Sequence, residues 1–204
     1  GNGLAYAEAL AMELFIDFIS PYAYLAVESV FEPKTRLTPI LLAALLNHNG
    51  QKGPAEIPDK RRYTFKHVSR MAHEHGLSIQ PPPAHPFNPL LPLRLAILRP
   101  DLILPIFRQC WRDGQAIDTP ESLSSLCDTE TLARAGEAKQ TLRENTERAL
   151  QLGVFGVPSL VIDKEVFWGF DSFPHAQAFL AGKDPVDPLL MQKWETLPAS
   201  ASRL

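Results

Sequence analysis

The stretch MELFIDFI, residues 12–19, carries apolar side chains on both faces of an extended chain. Met12, Leu14, Ile16 and Phe18 line one face; Phe15 and Ile19 share the other with Glu13 and Asp17. A strand that is apolar on both sides must be covered on both sides. Directly after it, Ser20 and Pro21 read as the N-cap and first residue of a helix. Tyr24, Val27 and Phe31 continue that helix at its own spacing. TRLTPILL, residues 35–42, reads as a second strand. Strand, helix, strand is the pattern of a parallel pair.

The β pattern returns only after Gly153. PSLVIDKEVFWG gives two short strands around Asp163-Lys164, a hairpin by its spacing. A helix from about Phe173 to Leu180 follows, with Gly182 near its end. The chain between is helical in pattern and interrupted by prolines. Phe65, Val68 and Ala72 keep one face of a helix that starts at Pro58 and stops at Gly76. QPPPAHPFNPLLP is a proline-rich loop that leads into a helix through Leu93, Ile97 and Leu98. Further helices fit LPIFRQCWRDG and EAKQTLRENTERALQLG. The expected organisation is one discontinuous α/β domain, residues 12–44 and 151–193, interrupted by an all-helical insertion, residues 45–150. Residues 1–11, which precede the first methionine, and residues 195–204 are expected to be loose.

A formal net charge of -3 leaves no basic footprint for nucleic acid. No apolar run approaches the ~20 residues that span a bilayer. GLAYAEALAMEL lacks the basic start and long apolar core of a secretory leader. Cys110 and Cys127 are too few for a disulfide framework and are expected to be buried free thiols. These features predict a cytoplasmic protein that works neither on nucleic acid nor in a membrane. His73-Glu74-His75 is no metal motif, because residues two apart face different sides of a helix, and no metal is expected.

Three patches, FIDFISPYAYLA, GQKGPAEIPDKRRY and GVFGVPSLVIDKEVFWGFDS, resemble the 2-hydroxychromene-2-carboxylate isomerases and the related kappa-class glutathione transferases. The resemblance runs from Met12 to about Lys193. It implies a thioredoxin-like α/β domain interrupted by an all-helical insertion domain, assembled as a homodimer. It also implies glutathione as cofactor and cis–trans isomerisation of a small aromatic carboxylic acid by reversible thiolate addition. A kappa-class-like transferase or peroxidase is the nearest alternative, and a non-catalytic glutathione-binding module is the other. One patch departs from the family, with Gly50-Gln51 where Gly-Asn is common.

Redox members of the superfamily open the first helix with Cys-x-x-Cys; here Ser20 and Ala23 hold those positions. Neither can form a disulfide, so thiol–disulfide exchange is excluded at this spot. A helix start still favours a thiolate brought by another molecule. Ser20 is therefore either a plain cap or, as the resemblance implies, the residue that donates its hydroxyl to the glutathione thiolate. The resemblance implies a cis bond before Pro158, with the Val157 backbone free to pair with extended peptide. It assigns Trp168, Gly169, Asp171 and Ser172 to the γ-glutamyl end of glutathione, although Asp171 and Ser172 also read as ordinary caps of the helix that follows. Lys60 is implied to meet the glycine carboxylate of glutathione, or belongs to a solvated helix face; Gln51 offers an amide nearby. His85 and Asn88, in PPAHPFNP, either line the substrate mouth or belong to a structural loop. Trp111 and Trp168 read as core more readily than as ligand platforms.

Overall fold

The computed structural model describes residues 10–202. Most of the loose leader expected at residues 1–11, together with residues 203–204, therefore lies outside the described residues. Strand β1, Met12–Ile16, leads through a tight turn into helix α1, Pro21–Glu28. Strand β2, Arg36–Pro39, runs parallel to β1, with Phe15 opposite Thr38. Strands β3, Ser159–Ile162, and β4, Glu165–Trp168, complete the sheet in the order β2-β1-β3-β4. Both of the later pairings are antiparallel, and Phe15 stands opposite Ser159. Asp163 and Lys164 turn the hairpin with φ values of 47° and 69°, the left-handed pair that a two-residue hairpin loop requires.

β2 is shorter than the sequence predicts. After Pro39 the last rung is Ile40 N–H to the Ile16 carbonyl. Thr146 Oγ1 then accepts the Leu41 N–H and the Asp17 carboxylate accepts that of Leu42. Those two donors leave the ladder, and helix α2, Leu42–His48, begins. Helix α3 spans Pro58–Glu74, and Gly76 just beyond it has φ +65°. Helix α4, Leu90–Leu98, is followed by α5, Ile103–Phe107, and a π-type turn, Arg108–Arg112. Helices α6, Thr129–Ala133, and α7, Lys139–Gln151, return the chain to β3. Helix α8, Phe173–Leu180, follows β4. Helix α9, Pro188–Glu195, is not anticipated by the apolar pattern; Asp187 caps it by accepting the Leu189 N–H at 2.9 Å.

The two faces of β1 bury into two separate cores, which explains why apolar residues occur on both faces. Met12, Leu14 and Ile16 pack with Tyr24 and Val27 of α1, Val68 of α3, Leu93 of α4 and Phe173 of α8. Phe15 packs on the other side with Ile40, Leu45 of α2 and Ala149 of α7. Glu13, on that second face, is held by Arg148 of α7 through Nη2–Oε2 at 2.6 Å and by Thr38 of β2. Burying the apolar β1 side chains contributes roughly 1.5–3 kcal/mol each. Phe31 lies beyond the end of α1 and meets Phe173 edge-on at 5.4 Å.

Two core expectations need correction. Trp111 is buried, but Trp168 is 57% exposed. It ends the edge strand β4 and lies across Gly156, where a Cβ would fall 2.7 Å from the indole nitrogen. Phe155 meets it edge-on at 5.1 Å. Cys110 is buried as expected, whereas Cys127 is only half-buried.

Candidate functional site

Ser20 caps α1: its Oγ accepts the Ala23 N–H at 3.2 Å. Pro21 has no N–H, and the Tyr24 N–H bonds the Ser20 carbonyl. Among the described residues, this leaves the Tyr22 N–H uncommitted at the helix start. The Ser20 hydroxyl accepts but donates to no described residue, so its proton is free for a ligand. Accepting the Ala23 N–H also polarises the hydroxyl and makes it a better donor. The cap and the donor are therefore compatible roles of one side chain.

The β1–β3 pairing brings the cis Val157-Pro158 bond alongside the turn that leads to Ser20. No hydrogen bond engages the Val157 N–H or carbonyl among the described residues. The Pro158 carbonyl accepts the Gly169 N–H at 2.9 Å, which ties the end of β4 to the same place. Gly169 has φ +90°, a backbone conformation that L side chains rarely adopt, so a side chain here would strain the turn and would also displace the Asp171 carboxylate. Residues Phe170–Ser172 form a 3-10 turn against α1. The expected capping of α8 by Asp171 or Ser172 is not made: the Ser172 hydroxyl donates instead to the Gly169 carbonyl at 2.7 Å. Asp171 is exposed and its carboxylate is uncommitted among the described residues.

The three- and four-residue spacing of Lys60, Thr64 and His67 puts them on one face of helix α3, where His67 meets Tyr22 of α1. Tyr22 Oη and His67 Nδ1 are 2.9 Å apart, and the Tyr63 and His67 rings stack at 5.7 Å. Burial pushes the Tyr22 phenol above its ordinary value, Thr64 opposes that shift, and the Tyr63 and Asp171 charges add to it. Lys60 is exposed and forms no salt bridge among the described residues. An open groove of about 600 Å³, lined by Arg62, Phe65, Lys66, Ser69 and Arg70, lies on a different face of α3. Gln51 follows α2 with its side chain exposed; its N–H bonds the Leu46 carbonyl, and no hydrogen bond among the described residues ties it to Ser20.

His85 and Asn88 both make hydrogen bonds within the protein. Asn88 Oδ1 accepts the Leu90 N–H at 3.0 Å and so restrains the start of α4. His85 is half-buried, with Nε2 2.8 Å from the Ile19 carbonyl. Sequence reasoning missed Asp17, Tyr22 and His67. The signal for Asp17 was available: it is an acidic residue in a run that must be buried on both sides.

Neither cysteine is suited to act as a thiolate. Burial, with Asp118 nearby, pushes the Cys110 thiol up to about 12, and burial and Asp128 raise that of Cys127. No described group of side chains is arranged to hold a metal ion. No described helix is long and apolar enough to cross a membrane.

The model of the DSBA-like thioredoxin domain matches residues 11–181, most of the chain. The chain belongs to the DSBA-like thioredoxin domain family. Within this family, its first helix opens with Ser20 and Ala23, so the fold is retained without a cysteine pair there. Two relatives cover most of this DSBA-like chain. Glutathione S-transferase kappa 2 of Caenorhabditis elegans is 25% identical over 205 residues, covering 83% of this chain and 91% of the relative. Glutathione S-transferase kappa 1 of Rattus norvegicus is 26% identical over 216 residues, covering 88% and 95%. The solved structure of a 2-hydroxychromene-2-carboxylate isomerase superposes with a TM-score of 0.74 at 20% identity, over 92% of this chain and all of that one. That likeness establishes the shared thioredoxin-like fold.

Proposed function

We propose that this DSBA-like domain is a glutathione-dependent enzyme that isomerises a small aromatic carboxylic acid between cis and trans forms. The observation that carries the reading is the Ser20 hydroxyl, polarised by the Ala23 N–H and free to donate, at a helix start with no sulfur of its own. Bound glutathione supplies the thiolate, which adds to the conjugated system, permits rotation about the temporary single bond, and leaves unchanged. Ser20 and the Tyr22 N–H stabilise that negative charge; Ser20 does not attack. The Val157 backbone pairs with the peptide, the Asp171 carboxylate takes its ammonium, and Lys60 takes its glycine carboxylate. Trp168, Gly169 and Ser172 shape the γ-glutamyl end, and Gln51 and Asn88 are peripheral contacts.

The magnitudes are sufficient. A thiol with a pKa of ~8.5 needs a shift of about two units to be mostly ionised near neutrality, or ~2.7 kcal/mol. A helix terminus and one charge-assisted hydrogen bond supply about that.

A second reading, a kappa-class-like transferase, is favoured by the names of the two relatives. Glutathione should raise the melting temperature under either reading, with stabilisation of ~2.7 kcal/mol at a hundredfold excess over Kd. No shift at millimolar glutathione would defeat both. Isomerisation without consumption of glutathione selects the first; stoichiometric loss of free thiol with an aryl halide selects the second.

A further inference from the structure

The two peptide planes before Ser20 are held at both ends. In the first, the Phe18 carbonyl accepts the Trp111 indole N–H at 2.8 Å and the Ile19 N–H donates to Asp17 Oδ1 at 3.2 Å. In the second, the Ile19 carbonyl faces His85 Nε2 at 2.8 Å and the Ser20 N–H donates to the Asp17 carbonyl at 3.1 Å. Two of these four partners are local, from Asp17. The other two come from the helical segment between β2 and β3, 93 and 66 residues away in sequence.

The His85 tautomer follows from its surroundings. Nε2 faces a carbonyl oxygen, so it carries the proton. Nδ1 is then a lone pair, and Arg61 Nη1 lies 3.4 Å from it. The same Arg61 nitrogen donates to the His85 carbonyl at 2.8 Å, which fixes the loop that presents the ring. Phe65 and Trp111 both meet the imidazole edge-on at 5.5 Å. Trp111 is 1% exposed and sits in the π-type turn after α5. The two donors are thus packed against each other and aimed at successive carbonyls.

We infer that Trp111 and His85 are positioning residues, which set the direction of the Ser20 hydroxyl by orienting the two peptide planes that precede it. The catalytic half of this inference rests on the glutathione reading of Ser20; the geometric half does not. A hydroxyl that must reach a thiolate is sensitive to small displacements, and an ~1 Å misplacement can cost ~10²-fold in rate. His85 is accordingly a support for Ser20, with both ring nitrogens already occupied, and not a direct substrate contact.

The test uses Trp111→Phe, which keeps the ring and loses the N–H, together with His85→Leu and His85→Gln. The glutamine amide can replace the Nε2 donor. Two readouts are taken on each protein. The first is hydrogen exchange of the Ile19 and Ser20 amides, compared with global stability. The second is the titration of the bound glutathione thiol, followed by its ultraviolet absorbance, with kcat and KM.

The expected result for Trp111→Phe and His85→Leu is faster exchange at both amides than the fall in global stability explains. The bound thiol pKa should rise and kcat should fall ~10-fold or more, with KM for glutathione little changed. His85→Gln should restore both readouts. If Trp111→Phe does not fold, the half-buried His85 pair carries the comparison. Unchanged amide exchange overturns the inference, and so does altered exchange with an unmoved thiol titration. If the unaltered protein binds no glutathione, the proposed function fails, while the exchange data still judge whether these two side chains hold the Ser20 turn.

Discussion

The Asp17 carboxylate accepts the Leu42 N–H at 2.9 Å, so an acidic side chain at the end of β1 supports the start of α2. α2 has no side-chain cap of its own, since Leu41 occupies that position. The second oxygen of Asp17 accepts the Ile19 N–H, one peptide before Ser20. One buried carboxylate therefore links the Ser20 turn to the opposite layer of the fold.

This position gives Asp17 a distinct pH signature. Complete burial pushes its carboxyl up to about 7, although the Leu42 and Ile19 hydrogen bonds oppose the shift. A carboxyl raised in the folded state contributes stability that is fully present below its unfolded pKa of about 4 and is lost as pH rises through about 7. Urea midpoints should therefore show a falling component between those values, worth on the order of a few kcal/mol. Asp17→Asn should remove that component. An unchanged slope in the variant would show that Asp17 is ionised throughout.

Glu13 behaves in the opposite sense. Burial alone would raise its carboxyl, but the Arg148 and Thr38 hydrogen bonds outweigh burial and hold it below its ordinary value. Its contribution is present above about pH 4.5 and lost as pH falls. Arg148→Ala leaves the half-buried carboxylate without its main partner and should cost about 2 kcal/mol. In that variant, NMR titration should find the Glu13 pKa shifted upward; a pKa that stays low would assign its depression to Thr38 and Arg36.

Ser20→Ala separates the cap from the donor. Loss of the Ala23 cap bond alone should cost about 1 kcal/mol of stability. Loss of the charge-assisted bond should also raise the bound thiol pKa by about one to two units. Thermal melts and thiol titration of the same protein measure the two effects independently. If stability falls and the titration does not move, Ser20 is only a cap and the helix-start N–H groups carry the charge.

The protein should not reduce insulin with dithiothreitol as electron source. Ser20 and Ala23 provide no sulfur at the helix start, and burial disfavours thiolate at Cys110. Insulin precipitation at a thioredoxin-like rate would require another reactive thiol, and the half-buried Cys127 would be the one to replace.

Much of the scaffold was legible because its signals are local. Ser20-Pro21 starts a helix through cap chemistry, Asp163-Lys164 closes a hairpin, and Pro58 and Gly76 bracket α3. The same local logic misled where a distant group intervened. ILL after Pro39 continues the strand pattern, yet Asp17 and Thr146 take the Leu41 and Leu42 donors and start a helix. Trp168 carries an apolar ring and reads as core, yet the sheet leaves it on an edge strand and mostly exposed.

The sequence by itself determined that β1 is covered on both faces, that α1 begins with a hydroxyl and not a thiol, and that β structure lies at the two ends of a helical block. Each follows from residue spacing or residue chemistry within a few positions. Only the tertiary structure decided what holds the Ser20 turn, because Trp111 and His85 reach it from 93 and 66 residues away. Such bonds depend on the packing of whole helices, and short-range periodicity carries no record of where a buried indole N–H or an imidazole will point.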